Sequence, residues 1–236
     1  MTPTLIACSH GTSSEAGRAA ISRLVTRVRV LLPDVPVEEA FVDVQQPEVG
    51  EVVDRAVDRG PVIVVPLLLS AGFHTRVDIA RAVARHPGAA VAAPALGPHP
   101  LVTAVLADRV AATGLGADDA VVLAAAGSTD PAAAVDVAAT ARDLSAVLGR
   151  PVRVGVAAGT GERISAVVSG IRLQRSGRVV AASYVLAPGF FADVVARAGA
   201  DATTDPLALD PRMAQLVAER YLDARRALHS GSAAQR

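Results

Sequence analysis

The sequence predicts an α/β protein made of two tandem copies of one unit, each a small parallel sheet flanked by helices, with a cleft between the copies. Three observations carry that expectation. Short β-branched runs alternate with segments whose apolar residues recur at spacings of three and four. The connections are short, and an alternating pattern of this kind implies parallel strands covered by helices on both faces. After a polar, glycine-bearing stretch at 114–119 the pattern starts again.

Residues 4–8 read as a short apolar strand that runs into Ser9-His10-Gly11-Thr12-Ser13-Ser14. A helix follows, with Ile21, Leu24, Val25, Val28 and Leu32 on one face and Arg18, Arg23, Arg27 and Arg29 mainly elsewhere around it. Residues 37–42 read as a strand, and 47–59 as a helix with Pro47 near its start. The continuous apolar run 62–69 reads as a strand buried on both faces. The loop Ser70-Ala71-Gly72-Phe73-His74 leads into a helix that reaches about Arg85 and stops at His86-Pro87-Gly88. Residues 90–93 form the fourth expected strand, and 100–112 the next helix.

The repeat can be followed residue by residue. Laying Gly11 on Gly127 aligns 5–13 with 121–129 at an offset of 116, and laying Gly72 on Gly189 aligns 66–74 with 183–191 at an offset of 117. A nearly constant offset of this length is too long for a solenoid unit of about 20 to 50 residues. It fits duplication of a domain of roughly 115 residues. The expected domains are 1–113 and 120–229, facing each other across a pseudo-twofold cleft, with 230–236 as a disordered tail.

Composition removes several functions. Twenty-three basic residues balance twenty-three acidic ones, all the basic ones are arginine, and aromatics make up 3% of the chain. Such a chain lacks the charge and the stacking surfaces that nucleic acids need. Without lysine, neither a Schiff-base nor a P-loop lysine mechanism is available. A single cysteine, Cys8, excludes an internal disulfide, and its place in the first strand marks a small buried hydrophobe. The longest strongly apolar run, 62–69, falls far short of the roughly 20 residues of a membrane span. Met1-Thr2-Pro3-Thr4 shows no secretory signal, so a cytoplasmic protein is expected.

The two copies differ where chemistry would occur. At the offsets above, His10 falls on Ala126, His74 on Phe191 and Asp43 on Gly159. All three follow strand C-termini, the edge at which open parallel sheets bind ligands. Two imidazoles and a carboxylate suit a divalent first-row metal with positions left open, and the same trio suits acid–base work near neutral pH. The competing reading for a lone His10 is a residue that caps the first helix or satisfies a loop. His86 reads as a helix-end residue, His99 as structural between two prolines, and His229 as surface. Gly11-Thr12-Ser13-Ser14 can offer N–H groups to an anion, although Ser and Thr are also ordinary caps.

These residues resemble the class II chelatases. Ser9-His10-Gly11-Thr12 resembles their His-Gly-Ser/Thr signature, and Ala40-Phe41-Val42-Asp43 with Pro47 resembles their Ala-Phe-Leu-Glu segment. The stretch 66–79 resembles their Pro-Leu-Phe-Leu…Gly-x-His-x-x-x-Asp-Ile motif, and within the family the similarity is closest to the sirohydrochlorin chelatases. The second half resembles the degenerate domain of two-domain members.

The resemblance implies insertion of a divalent metal, Fe2+ for sirohaem or Co2+ for cobalamin, into sirohydrochlorin. It assigns His10 and His74 to metal binding and catalysis, and Asp43 to the position of the family's glutamate. Asp43 is one methylene shorter and reaches about 1.5 Å less, which favours a proton relay through water over direct metal contact. Substrate contacts are expected from Ser9, Gly11 and Thr12 around the first histidine, and from Gly72, Phe73 and Arg76 around the second. No organic cofactor is implied; the metal is a substrate. The tandem copies make a monomer the expected state. The rivals are a non-catalytic tetrapyrrole or metal carrier, and a histidine-phosphatase-like hydrolase, whose Arg-His-Gly motif would need arginine where Ser9 stands.

Overall fold

The computed structural model describes residues 1–72, 74–174 and 177–233, with 74–76, 229 and 231–233 described through their backbone alone. Among the described residues the chain forms two four-stranded sheets, both wholly parallel. The first contains β1 (Thr4–Ser9), β2 (Val37–Phe41), β3 (Val62–Pro66) and β4 (Ala90–Ala92) in the order β2-β1-β3-β4. The second contains β5 (Ala120–Ala125), β6 (Val152–Val156), β7 (Val179–Tyr184) and β8 (Ala202–Thr203) in the order β6-β5-β7-β8. The expected duplicated α/β architecture is therefore the observed one.

Helices α1 (Glu15–Leu31), α2 (Val49–Val57), α3 (Ala80–Ala84) and α4 (Pro100–Ala112) follow the first four strands. In the second half α5 (Pro131–Leu148), α6 (Ile164–Arg172), α7 (Phe190–Ala196) and α8 (Pro211–Ala233) occupy the corresponding places. Strand alternation separates two cores in each half. Leu5 and Ala7 of β1 face a core shared by both halves, whereas Ile6 and Cys8 face an outer core closed by α2. On α2 the apolar spacing of Val49, Val52, Val53 and Ala56 puts all four on that face. Val122 and Ala124 meet α6 in the same way in the second half.

The halves exchange their last helices. Helix α4 packs against α5 and β7, while α8 packs against α1 and β3. Tyr221 of α8 donates a hydrogen bond to the Pro3 carbonyl at 2.7 Å, and Arg212 pairs with Asp108 of α4 at 2.6 Å. Each half thus closes the inner face of the other's sheet, and the shared core is continuous.

Four local expectations need correction. Helix α2 begins at Val49, because the Pro47 carbonyl accepts the Phe41 N–H (3.0 Å) as an extension of the sheet. Strand β3 ends at Pro66; beyond it Leu67 still donates to the Cys8 carbonyl (2.7 Å), but Leu68 turns to accept from Leu96 (2.8 Å). The helix expected after the third strand opens as a π-helical turn, His74–Ile79, before α3. Finally, α8 runs to Ala233, so the expected tail is helical over 230–233. The buried face of Met213, Leu216, Val217 and Tyr221 anchors the helix, and Ser230 donates back to the Arg226 carbonyl (3.1 Å).

Candidate active site

Strand registers define the internal symmetry. Leu5 pairs with Val37 and Val121 with Val152, while Thr4 pairs with Val62 and Ala120 with Val179. The loop after the second strand therefore runs at an offset of 115. Asp43 donates its N–H to the His10 carbonyl (3.1 Å) as Ala158 does to Ala126 (2.9 Å). The structural counterpart of Asp43 is thus Ala158, where sequence alignment expected Gly159; Gly159 corresponds to Val44.

Gly11 and Gly127 have φ of +88° and +84°, and a Cβ on either would clash with the facing carbonyl of Asp43 or Ala158. Both turns bend the chain off the sheet edge toward the other half. The third-strand loops cross over reciprocally. A Cβ on Gly189 would stand 3.1 Å from Thr12 Oγ1, and one on Gly72 would stand 3.6 Å from Ser128 Oγ. Thr12 and Ser128 occupy equivalent positions, so each half's third-strand loop approaches the matching turn of the other.

Between them lies a cleft of about 880 Å³, walled by both halves. Ser9, His10, Gly11, Thr12 and Gly72 all line it. His10 Nδ1 lies 3.3 Å from the Gly11 carbonyl. His74 heads the π-helical turn two residues beyond Gly72, and its side chain and that of Arg76 lie outside the description, as does Phe73. Asp43 is absent from the wall. It is exposed, and its carboxylate accepts the Val44 N–H at 2.8 Å, closing its own turn. Among the described residues no group of three His, Cys, Asp or Glu side chains forms a metal-holding cluster.

The N–H groups of Thr12 and Ser14 are used internally. Thr12 donates to Gln45 Oε1 (2.9 Å), Ser14 to Thr12 Oγ1 (3.1 Å), and Ser14 in turn caps α1 through the Gly17 N–H (3.2 Å). The remaining candidates fall outside the wall. His99 caps α4 by accepting the Leu101 N–H (3.3 Å), and burial holds its pKa below the ordinary imidazole value. His86 lies 2.6 Å from Asp54 on the surface. Burial and then the nearby Asp78 charge push the Cys8 thiol up to about 12, so it remains a protonated core residue.

Several site residues have no signal in the sequence. Gln45 orders the loop after His10, while Asp136 and Tyr184 reach across the cleft. Asp136 accepts the Ala71 N–H at 2.7 Å, and Tyr184 donates to the Leu69 carbonyl at 2.5 Å. Arg18 donates to the Ser13 carbonyl (2.9 Å) and Arg163 to the Gly159 carbonyl (3.1 Å), placing one cation beside the wall in each half.

A duplicated parallel α/β chain, with a cleft between the halves and strand-end histidines in the first half, defines a two-domain α/β protein. The CbiX family matches residues 4–113 and 120–224, and the chain belongs to that family. The family read from the motifs is thereby borne out. Among solved structures, SirB from Bacillus subtilis with Fe3+ is similar at a TM-score of 0.79 and 21% identity, over 100% of this chain and 98% of that one. The sirohydrochlorin chelatase SirB from Bacillus subtilis subspecies spizizenii, in complex with cobalt, gives 0.76 and 19% over 94% and 95%. CbiX described as the terminal enzyme of sirohaem biosynthesis in denitrifying bacteria gives 0.64 and 18% over 94% and 98%. No curated protein sequence matches the chain.

Proposed function

We propose that the protein is a sirohydrochlorin chelatase, inserting a divalent metal into the tetrapyrrole with release of two protons. The observation that carries this reading is the cleft of about 880 Å³ between two CbiX repeats, of which only the first keeps histidines at its strand ends. A bare ion needs no such volume; a macrocycle does, and roughly 300–1,000 Å³ is the ordinary range for small-molecule sites. The relatives described with iron and with cobalt support Fe2+ or Co2+ as the metal substrate.

In this reading His10 and His74 hold the incoming ion loosely, leaving positions open for the macrocycle nitrogens. Imidazoles also accept the two pyrrole protons as the ion replaces them. Asp43 serves as a proton relay from beside the cleft, consistent with its solvent-facing carboxylate. Arg18, Arg163 and Arg76 stand at positions suited to substrate carboxylates. The protein works as a monomer in the cytoplasm, since its own second half supplies the opposite wall. Among the described residues no helix is long and apolar enough to cross a membrane.

The test is an anaerobic insertion assay following sirohydrochlorin absorbance with ferrous iron and with cobalt, beside an uncatalysed blank. Wild type should exceed the blank, and folded His10→Ala and His74→Ala should each fall to it. Tight stoichiometric macrocycle binding without turnover would make the protein a carrier. Absence of binding would remove the chelatase reading.

A further inference from the structure

At the places of His10 and His74 the second half carries Ala126 and Phe191, so an aromatic ring replaces the second histidine. The chain has four phenylalanines, two tyrosines and no tryptophan, and Tyr184, Phe190 and Phe191 all line the one cleft. Tyr184 is buried in the shared core and Phe191 packs against the second half's outer core, whereas Phe190 stands exposed. Phe191 occupies the place of His74 and Phe190 that of Phe73 at the offset of the third-strand loop.

Their setting fixes them against the first half. Pro188 and Gly189 press on the start of α1: a Cβ on Gly17 would meet the Pro188 carbonyl at 2.4 Å, and one on Gly189 would meet Thr12 Oγ1 at 3.1 Å. Helix α7 therefore begins beside the loop that carries His10. The two rings meet edge to face, with centroids 5.3 Å apart and planes inclined at 72°. Phe190 is 70% exposed, a large apolar ring left facing the cleft.

We propose that Phe190 and Phe191 form a stacking platform for the tetrapyrrole, the contribution of the second half to substrate binding. The flat conjugated ring lies on the exposed Phe190, which Phe191 braces edge-on, and the macrocycle is thereby held beside His10. The platform selects a planar, conjugated occupant and makes no contact with the metal. This inference rests on the chelatase reading and names the surface that reading requires.

The test uses the full chain. Metal-free sirohydrochlorin is titrated into wild type, Phe190→Ala, Phe190→Leu and Phe190→Trp, and insertion kinetics are measured with each substrate varied in turn. Phe190 is exposed, so its variants keep the fold, which circular dichroism verifies. Phe190→Ala and Phe190→Leu should raise the tetrapyrrole Kd and KM roughly tenfold, with Phe190→Trp close to wild type and the metal KM moved by less than about twofold. Wild-type Kd values in both the alanine and leucine variants would overturn the platform while leaving the chelatase reading intact. A rise in metal KM equal to that of the tetrapyrrole would also overturn it. Failure of the wild type to bind the macrocycle would overturn the chelatase reading, and the platform with it.

Discussion

Asp136 in α5 accepts the Ala71 N–H at 2.7 Å, so the second half holds the loop that leads to His74. Tyr184 adds a second tie, donating to Leu69 at 2.5 Å while its oxygen accepts from Thr140 at 3.2 Å. Gly97 leaves the room this needs, since a Cβ there would lie 2.2 Å from the Tyr184 hydroxyl. A charge-assisted hydrogen bond of this kind contributes about 1.5–3 kcal/mol. Asp136→Ala should therefore lower metal insertion by roughly ten- to a hundredfold, with Asp136→Asn retaining most of it through its amide oxygen. Equal losses in both variants would show that the Ala71 bond is not what matters.

Among the described residues Val44 is the non-glycine residue at positive φ, +52°, where its counterpart is Gly159 at +69°. A β-branched side chain there stores on the order of 1–3 kcal/mol of backbone strain, against about 0.5–1 kcal/mol of glycine entropy. Val44→Gly should stabilise the protein by about 1 kcal/mol in urea unfolding. Gly159→Val should do the opposite, since its Cβ would stand 2.4 Å from the Ser128 backbone. A destabilised Val44→Gly would mean that the side chain's contacts outweigh the strain.

Cys8 is buried, and with its thiol pushed up to about 12 only on the order of one molecule in ten thousand is a thiolate at pH 8. A thiol reagent should leave the native protein unlabelled at that pH and modify one equivalent once it is unfolded. Rapid native labelling would contradict the buried, protonated thiol.

Asp119 accepts from the Gly116 N–H (2.9 Å), the Arg178 N–H (3.0 Å) and the Arg178 guanidinium (2.7 Å), tying the linker to the start of β7. These bonds, the Gly116 amide foremost, hold its carboxyl below the ordinary carboxylate value. The sign follows by linkage. Stabilisation is complete above the unfolded-state value, roughly 4, and is lost as pH falls through the lower folded-state value. Unfolding free energy should therefore fall with pH more steeply below about 4 in wild type than in Asp119→Asn, which should also be less stable at pH 7. Parallel curves would remove Asp119 as a source of acid sensitivity.

The parts of the site legible in the sequence were those set by local pattern. His10 lines the cleft because it directly follows a strand readable from its apolar run, and Gly72 lines it on the loop beyond the third strand. The counterpart of Asp43 in the second half was read with an offset carried over from the first strand. The segment between the first and second strands is one residue longer in the first half than in the second, which puts Ala158 opposite Asp43 and Gly159 opposite Val44.

The sequence by itself determined the alternation of strands and helices, the duplication, the confinement of the strand-end histidines to one copy, and the family. Each depends on residue spacing along a short stretch, which side-chain periodicity records directly. Only the tertiary structure decided that α4 and α8 cover each other's sheets, and that Asp136 and Tyr184 hold a loop belonging to the opposite half. It also decided that Phe190 faces the cleft beside Thr12. Apolar spacing specifies that a face must be buried, but not which partner buries it. That choice is made when the whole chain closes and the two halves share one core.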